Sequence, residues 1–365
     1  MCMFDPQKPH NELPHLPPVE DFNDVDLLKL VNKANNSIFE LKGAAHILPN
    51  RLILLSPLSI REAVASSGVE NINTTVAEAL KADVVYEKSE LHGADKEILK
   101  YRDALMGGFD LLNEKKFLNS NSFIEIQAIL EPNKRGIRAI PDVAIRNSKT
   151  NEIIYTPPEG RELILEKLKN FEDYFNDQTG FDDLDPLIRL AIMHYQFEAI
   201  HPFLDGNGRT GRIMMVLYLV MVGRLDLPIL FLSKYILENR DEYYRLLLGV
   251  TKDGNWKSWV RYILQGVDRQ ATETKQNILE IKKLMAEYKK FEQSHDTSII
   301  SPKMLDYLFS NPFYTQKKLS EHLDVHRNTA SKYFVELERL GLVSKFKHKK
   351  ENIYYNEKLL QLLSY

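Results

Sequence analysis

Cysteine is almost absent from this chain: of 365 residues one is cysteine, Cys2. An intramolecular disulfide is therefore excluded, and a reducing compartment is the natural expectation. Long apolar runs are missing too. The most apolar stretch, residues 213–222, suits a core helix and falls well short of the ~20 residues needed to span a bilayer. The N-terminus offers Asp5 and several prolines where a secretory leader would need an apolar segment. Neither sign of charge dominates: 48 Lys and Arg stand against 51 Asp and Glu. No general attraction to nucleic acid or to an anionic membrane follows. A Walker A ending is absent, as is a hydrophobic strand feeding a Rossmann fingerprint, so two familiar routes to nucleotide binding are closed. What remains is a cytoplasmic protein of ordinary composition, long enough for two or three domains.

One stretch is dense with chemistry: His201-Pro202-Phe203-Leu204-Asp205-Gly206-Asn207-Gly208-Arg209-Thr210-Gly211-Arg212. The apolar run behind it makes the glycine-rich part a loop entering the N-terminus of a buried helix. Backbone N–H groups there carry partial positive charge and favour anions such as phosphate. Gly206 and Gly208 let the main chain approach a ligand closely. Arg209 and Arg212 are three apart, near one helix face, and guanidinium groups suit phosphate oxygens. Asp205 is a hard oxygen ligand of the kind Mg²⁺ takes beside phosphate and water. His201 can accept a proton from an attacking hydroxyl near neutral pH. A satisfied histidine or a glycine turn would account for any one of these residues, but not for the set.

The stretch resembles the signature of the Fic family, His-Pro-Phe-x-Asp-Gly-Asn-Gly-Arg-x-x-Arg, at every fixed position. The resemblance implies a mainly α fold, a Fic-type helical core with a small β-hairpin flap. It implies a protein adenylyltransferase that moves AMP from ATP, with Mg²⁺, onto a Tyr, Ser or Thr hydroxyl of a target protein or of the chain itself. His201 would be the base and Asp205 the metal ligand. Gly206, Asn207, Gly208, Arg209, Thr210, Gly211 and Arg212 would hold the nucleotide. Of the adjacent Tyr243 and Tyr244, the likeness gives the nucleotide to Tyr244 and leaves Tyr243 to the core. His194 reads as a packed core histidine, because no third metal ligand stands at the right spacing.

Upstream, residues 1–22 are Pro-rich and polar and read as an extended arm. Helical periodicity runs from Asp24 to Leu41, with Gly43 and Pro49 marking its end. Ser56-Pro57 opens a second helix that leads into Ser66-Ser67-Gly68-Val69-Glu70-Asn71. Alone, this is a helix end with small residues and one exposed acid. Beside the signature, Ser66, Glu70 and Asn71 fill the fixed positions of the family's inhibitory motif, whose glutamate pairs with the second signature arginine, here Arg212. That pairing would place Glu70 at the nucleotide site, where it occupies the guanidinium needed by the γ-phosphate. Between residues 144 and 155, β-prone pieces flank a polar turn, Asn147-Ser148-Lys149. In the family's layout such a hairpin is the flap, and Ile145, Ile153 and Tyr155 belong to the strands that hold a target segment by strand addition. Helices over residues 162–175 and 186–200 then lead to the signature.

Past a long helix from Ser258, the composition turns basic. Leu319 and Leu323 sit on a short helix, Asp324-Val325 makes a turn, and a second helix runs from Asn328 to Leu340, capped by Gly341. Strand-like pieces follow at residues 343–347 and 353–355. The pattern resembles a winged helix-turn-helix. Arg327, Asn328 and Lys332 would face a major groove, and the wing's Lys345, Lys347, Lys349 and Lys350 would meet DNA phosphates. Such modules also serve protein docking or homodimerisation. A nucleotide-sensing DNA-binding regulator is thus the alternative to the enzyme. The expected domains are residues 1–115 with the inhibitory helix, 116–290 as the Fic core, and 291–365 as the winged module.

Overall fold

The computed structural model describes residues 4–364 apart from 49, 51, 52, 54, 141, 142, 147–149, 178, 179, 181 and 295–298. Cys2, Pro49 and the hairpin's polar turn Asn147-Ser148-Lys149 thus lie outside the described residues. The elements are α1 (Val25–Ala45), α2 (Leu55–Val69), α3 (Val76–Val85), α4 (Gly93–Lys115), α5 (Ser120–Leu130), β1 (Ile145–Arg146), β2 (Ile153–Tyr155), α6 (Arg161–Phe175), α7 (Pro186–Ile200), α8 (Asn207–Met221), α9 (Ser233–Glu238), α10 (Arg240–Asp253), α11 (Trp256–Ser294), α12 (Pro302–Ser310), β3 (Phe313–Tyr314), α13 (Gln316–Leu323), α14 (Arg327–Arg339), β4 (Ser344–His348), β5 (Glu351–Tyr355) and α15 (Glu357–Ser364). The mainly α expectation is borne out. No described helix is long and apolar enough to cross a membrane. Contacts group the chain into two units: Met1–Phe39 with Asp103–Ala271, and Glu40–Arg102 with Thr272–Tyr365.

The first unit is built on α7 and α8. Asp185 caps α7 by accepting from the Leu187 N–H at 2.8 Å, and Pro186 sits in the first turn, where its missing N–H costs nothing. Residues 187–200 of this helix are all buried. An aromatic cluster of Phe123, Phe171, Phe175 and Phe197 fills the space between α5, α6 and α7, with ring centres about 6 Å apart. The Pro-rich arm is tied down. Its His10 N–H reaches Thr156 O at 2.9 Å, its Pro14 carbonyl takes the Gln196 amide at 2.8 Å, and Leu16 bonds Asn170 in both directions.

In the second unit α2 ends in a paired turn. The Ile72 N–H bonds Ser67 O and the Asn71 N–H bonds Gly68 O, both at 3.0 Å, with Asn71 left-handed at φ 64°. This is a Schellman ending, and Asn tolerates its left-handed position better than most residues. The C-terminal part forms a sheet in the order β3-β5-β4, fully antiparallel. α12 and α15 pack on α2, and β3 and α15 pack on α3. The Asn311 side chain, buried at this junction, donates to Leu80 O and to Asp83. Helices α5, α12 and α15 are short for a clear helical period in the sequence. α1 runs through Gly43 to Ala45, two residues past the glycine expected to mark its end.

Candidate active site

The loop between α7 and α8 is held in shape by its own side chains and by one arginine. His201 takes the left-handed conformation, φ 49° and ψ 58°, which turns the chain sharply out of α7. Arg138, 2% exposed, donates to the carbonyls of His201 at 2.7 Å, of Ile200 and of Pro158. Its own N–H bonds Pro202 O at 2.9 Å. Asn207 closes the loop: its amide accepts from the Phe203 N–H and donates to Phe203 O, each at 2.9 Å. Gly206, left-handed at φ 79°, then starts α8. The Asn207 side chain is thus committed to the loop, and what this residue can offer a phosphate is its backbone N–H.

Asp205, Arg209 and two residues absent from the sequence reading form a ladder of alternating charge. Lys134 donates to Asp205 Oδ2. Asp205 Oδ1 accepts the Gly206 N–H at 2.8 Å and lies 3.5 Å from the Arg209 guanidinium. Arg209, buried, bonds Glu131 Oε1 at 2.7 Å. Burial works to raise the Asp205 carboxyl, but Lys134, the Gly206 N–H and Arg209 outweigh it and hold it below the usual carboxylate range. The bond to Asp205 raises the Lys134 ammonium in turn. Glu131 precedes and Lys134 ends a single 3-10 turn after α5. Gln127, fully buried, binds that turn to the loop: one Nε2 donates to Lys134 O at 3.0 Å and to Asp205 O at 3.1 Å, and Oε1 accepts the Gly136 N–H.

Arg212 is buried in α8 and lies close enough to His194 to oppose its protonation. His194 is a core histidine, as its spacing implied: Nε2 meets the Tyr243 hydroxyl at 2.9 Å, and burial first, Arg212 second, push its pKa down to about 3. Tyr243 is buried and Tyr244 is 38% exposed beneath the Arg240 guanidinium, so the two rings divide as the sequence predicts.

Thr210 is fully buried. At Gly211 a Cβ would lie 2.5 Å from Glu198 Oε1, 3.2 Å from the Phe197 ring and 3.5 Å from His194 Nδ1. Its lack of a side chain serves the close approach of α7 and α8. In the hairpin, Ile145 pairs with Tyr155 and Arg146 with Ile153. Ile153 is half-buried, whereas Tyr155 is turned inward. Its hydroxyl donates to Ala199 O at 2.8 Å and its ring stacks on Phe4. Tyr155 therefore offers a target only its backbone. Ser66 is buried in α2, and Glu70 and Asn71 form the turn that follows. In the C-terminal part Arg327, Asn328 and Lys332 are exposed. Arg327 lies 3.7 Å from Glu351, Lys345 2.7 Å from Glu338 and Lys349 3.4 Å from Glu90, so acids of the same unit already engage much of this basic surface.

The chain matches the Fic/DOC family N-terminal region over residues 28–110, the Fic/DOC family over residues 117–219, and the C-terminal domain of SoFic-like protein adenylyltransferase over residues 284–359. It is 34% identical over 144 residues to protein adenylyltransferase fic-1 of Caenorhabditis elegans, covering 38% of this chain and 26% of that protein. It is 25% identical over 245 residues to protein adenylyltransferase Fic of Drosophila mojavensis, covering 65% of this chain and 43% of that protein. The chain thus spans less than half the length of these relatives. A crystal structure of a Fic family protein from Desulfovibrio desulfuricans superposes with a TM-score of 0.57 at 16% identity, covering 94% of this chain and 98% of that one. Fic-1 of C. elegans superposes with a TM-score of 0.52 at 22% identity, covering 68% and 73% of the two chains. The signature at the α7–α8 turn, the hairpin ahead of it and these matches place the chain in the Fic/DOC family.

Proposed function

We propose that this protein is a protein adenylyltransferase, which transfers AMP from ATP to a Tyr, Ser or Thr hydroxyl of a target protein or of itself. The observation that carries the proposal is the convergence of His201, Asp205, Arg209 and the N-terminus of α8 on one short loop. A substrate hydroxyl attacks the α-phosphorus and gives its proton to the His201 imidazole. The bond from that phosphorus to the bridging oxygen breaks, and pyrophosphate leaves. The chain's task is to position and to stabilise charge. Backbone N–H groups of Asn207 and Gly208 face the phosphates, Gly206 starts the helix that presents them, and Arg209 and Arg212 add positive charge. Tyr244 borders the nucleotide. Asp205 fits Mg²⁺, because its Oδ2 already attracts a cation. When bound, the ion would neutralise phosphate charge.

Glu70 is the proposed brake on Arg212, with Ser66 and Asn71 completing the inhibitory motif and the left-handed Asn71 in the turn that carries it. The strands around Ile145 and Ile153 are the proposed docking edge for the target. The C-terminal part is proposed to be a winged helix-turn-helix, through which DNA contact by Arg327, Asn328 and Lys332 or homodimer formation would run. The division into 1–115, 116–290 and 291–365 is proposed as functional, and a cytoplasmic setting goes with it. The test uses α-labelled ATP, Mg²⁺ and cell lysate. Glu70→Gly should label protein strongly, and His201→Ala in that background should lower labelling by about 10²–10⁴-fold. No labelling by Glu70→Gly, of target or of self, overturns the proposal.

A further inference from the structure

We infer that Lys134 is a positioning residue of the active site: it is the resident counter-cation of Asp205, which a divalent ion arriving with the nucleotide must displace. The inference rests on the assignment of Asp205 as metal ligand. Lys134 and Asp205 are 71 positions apart, yet their carbonyls share the Nε2 of one fully buried amide, Gln127, at 3.0 and 3.1 Å. A surface ion pair would not have both main chains pinned in this way. The two oxygens of Asp205 are also unlike. Oδ1 is turned into the loop, where the Gly206 N–H bonds it at 2.8 Å and Arg209 lies 3.5 Å away. Oδ2 faces outward, and it is the oxygen that Lys134 holds. The outward oxygen is the one open to a metal ion, so metal and ammonium compete for a single atom. Like charges on one oxygen repel, and the lysine, half-exposed on a flexible stem, is the partner able to leave. Arg209 sits by the other oxygen, Oδ1, at 3.5 Å, and bonds Glu131 at 2.7 Å.

The consequence is a buffered site. Without metal, Lys134 shields the Asp205 carboxylate from polyphosphate, so nucleotide binding gains less from the metal than a bare carboxylate would dictate. The test is calorimetric, on the full chain carrying Glu70→Gly. The ligand is an ATP analogue with a methylene bridge between the α- and β-phosphates, which cannot be cleaved. The readout is the ratio of its Kd in EDTA to its Kd in Mg²⁺. Lys134→Met and Lys134→Gln should each raise the ratio roughly fivefold, the scale of one partly exposed charge pair. Most of that change should come from weaker metal-free binding. Asp205→Asn should bring the ratio close to one. An unchanged ratio in both lysine variants overturns the inference. So does a fall through weaker binding in Mg²⁺, which would make Lys134 a phosphate ligand. A wild-type ratio in Asp205→Asn instead overturns the assignment of the metal, so the two failures are told apart.

Discussion

Gly211→Ala isolates the contact on which the α7–α8 pair depends. Gly211 is helical, so alanine would gain about 1 kcal/mol of intrinsic helix propensity. Against that stands a Cβ placed 2.5 Å from Glu198 Oε1 and 3.2 Å from the Phe197 ring. The Phe197 ring is clustered with Phe123 and Phe171 and has nowhere to move. Glu198 is 8% exposed, so moving its carboxylate disturbs a buried polar group. Overpacking of this kind costs about 1–3 kcal/mol and more when a buried polar group is also displaced. The net expectation is a loss of about 1–2 kcal/mol, hence a melting temperature lower by ~2–6 °C. The effect should also reach the chemistry, because α7 ends at His201 and α8 carries Arg212. A shift approaching 1 Å between them can cost about 10²-fold in rate. Thermal denaturation gives the stability term, and labelling in the Glu70→Gly background gives the rate. Glu198→Ala, combined with Gly211→Ala, should recover at least about 1 kcal/mol relative to additivity. A Gly211→Ala protein as stable as wild type, or strict additivity in the double variant, would refute the steric account.

Arg138→Met should be among the most damaging single changes in the first unit, since it strips the carbonyls of His201, Ile200 and Pro158 of one shared buried donor. A loss of about 3 kcal/mol in chemical denaturation is expected, and less than 1 kcal/mol would contradict the role given to it. Asn71→Gly should be tolerated within about 0.5 kcal/mol, whereas Asn71→Val should cost about 1–2 kcal/mol, because a β-branched residue resists φ near +64°; equal melting points for the two would count against the Schellman ending. His194 supplies a pH test. Its folded pKa is lowered to about 3 from 6.5, so the unfolded chain takes up the proton first. The stability that neutral His194 permits is therefore present above pH 6.5 and declines as pH falls, by about 2 kcal/mol between pH 6.5 and 5. His194→Gln should flatten that slope in denaturation measured across the window, and an unchanged slope would assign the pH dependence elsewhere.

The sequence disclosed those parts of the protein whose physics is local. Asp185-Pro186 starts α7 because a cap and a φ-locked residue act within one turn, and both can be read without a fold. The signature is legible for the same reason: helix, loop and charges lie within twelve positions. What stayed hidden acts across distance. Lys134 meets Asp205 from 71 positions away, and Glu131 meets Arg209 from 78. Glu131-Pro132-Asn133-Lys134 looks like any solvated turn until α5 is placed against α8. Periodicity could not supply α5 reliably, because its eleven residues are short for that signal. Gly211 is ambiguous in the sequence for a different reason. A glycine that admits a ligand and a glycine that admits a neighbouring helix have the same sequence, and only the position of Glu198 and Phe197 separates them.

The geometry also changes what kind of site the signature describes. Two arginines, a lysine and a helix N-terminus suggest an open trap for anions, yet the loop is nearly neutral within itself. Lys134 is set against Asp205 and Arg209 against Glu131, while the Asn207 amide is taken up by Phe203. What the loop presents directly to a phosphate is the row of main-chain N–H groups at the start of α8, which bind anions without carrying a full charge. A nucleotide bringing its own divalent ion would break this balance at one point: the ion would take Oδ2 of Asp205 in place of the Lys134 ammonium. A site poised in this way would penalise metal-free polyphosphate less than a bare carboxylate would, without any contact to the base.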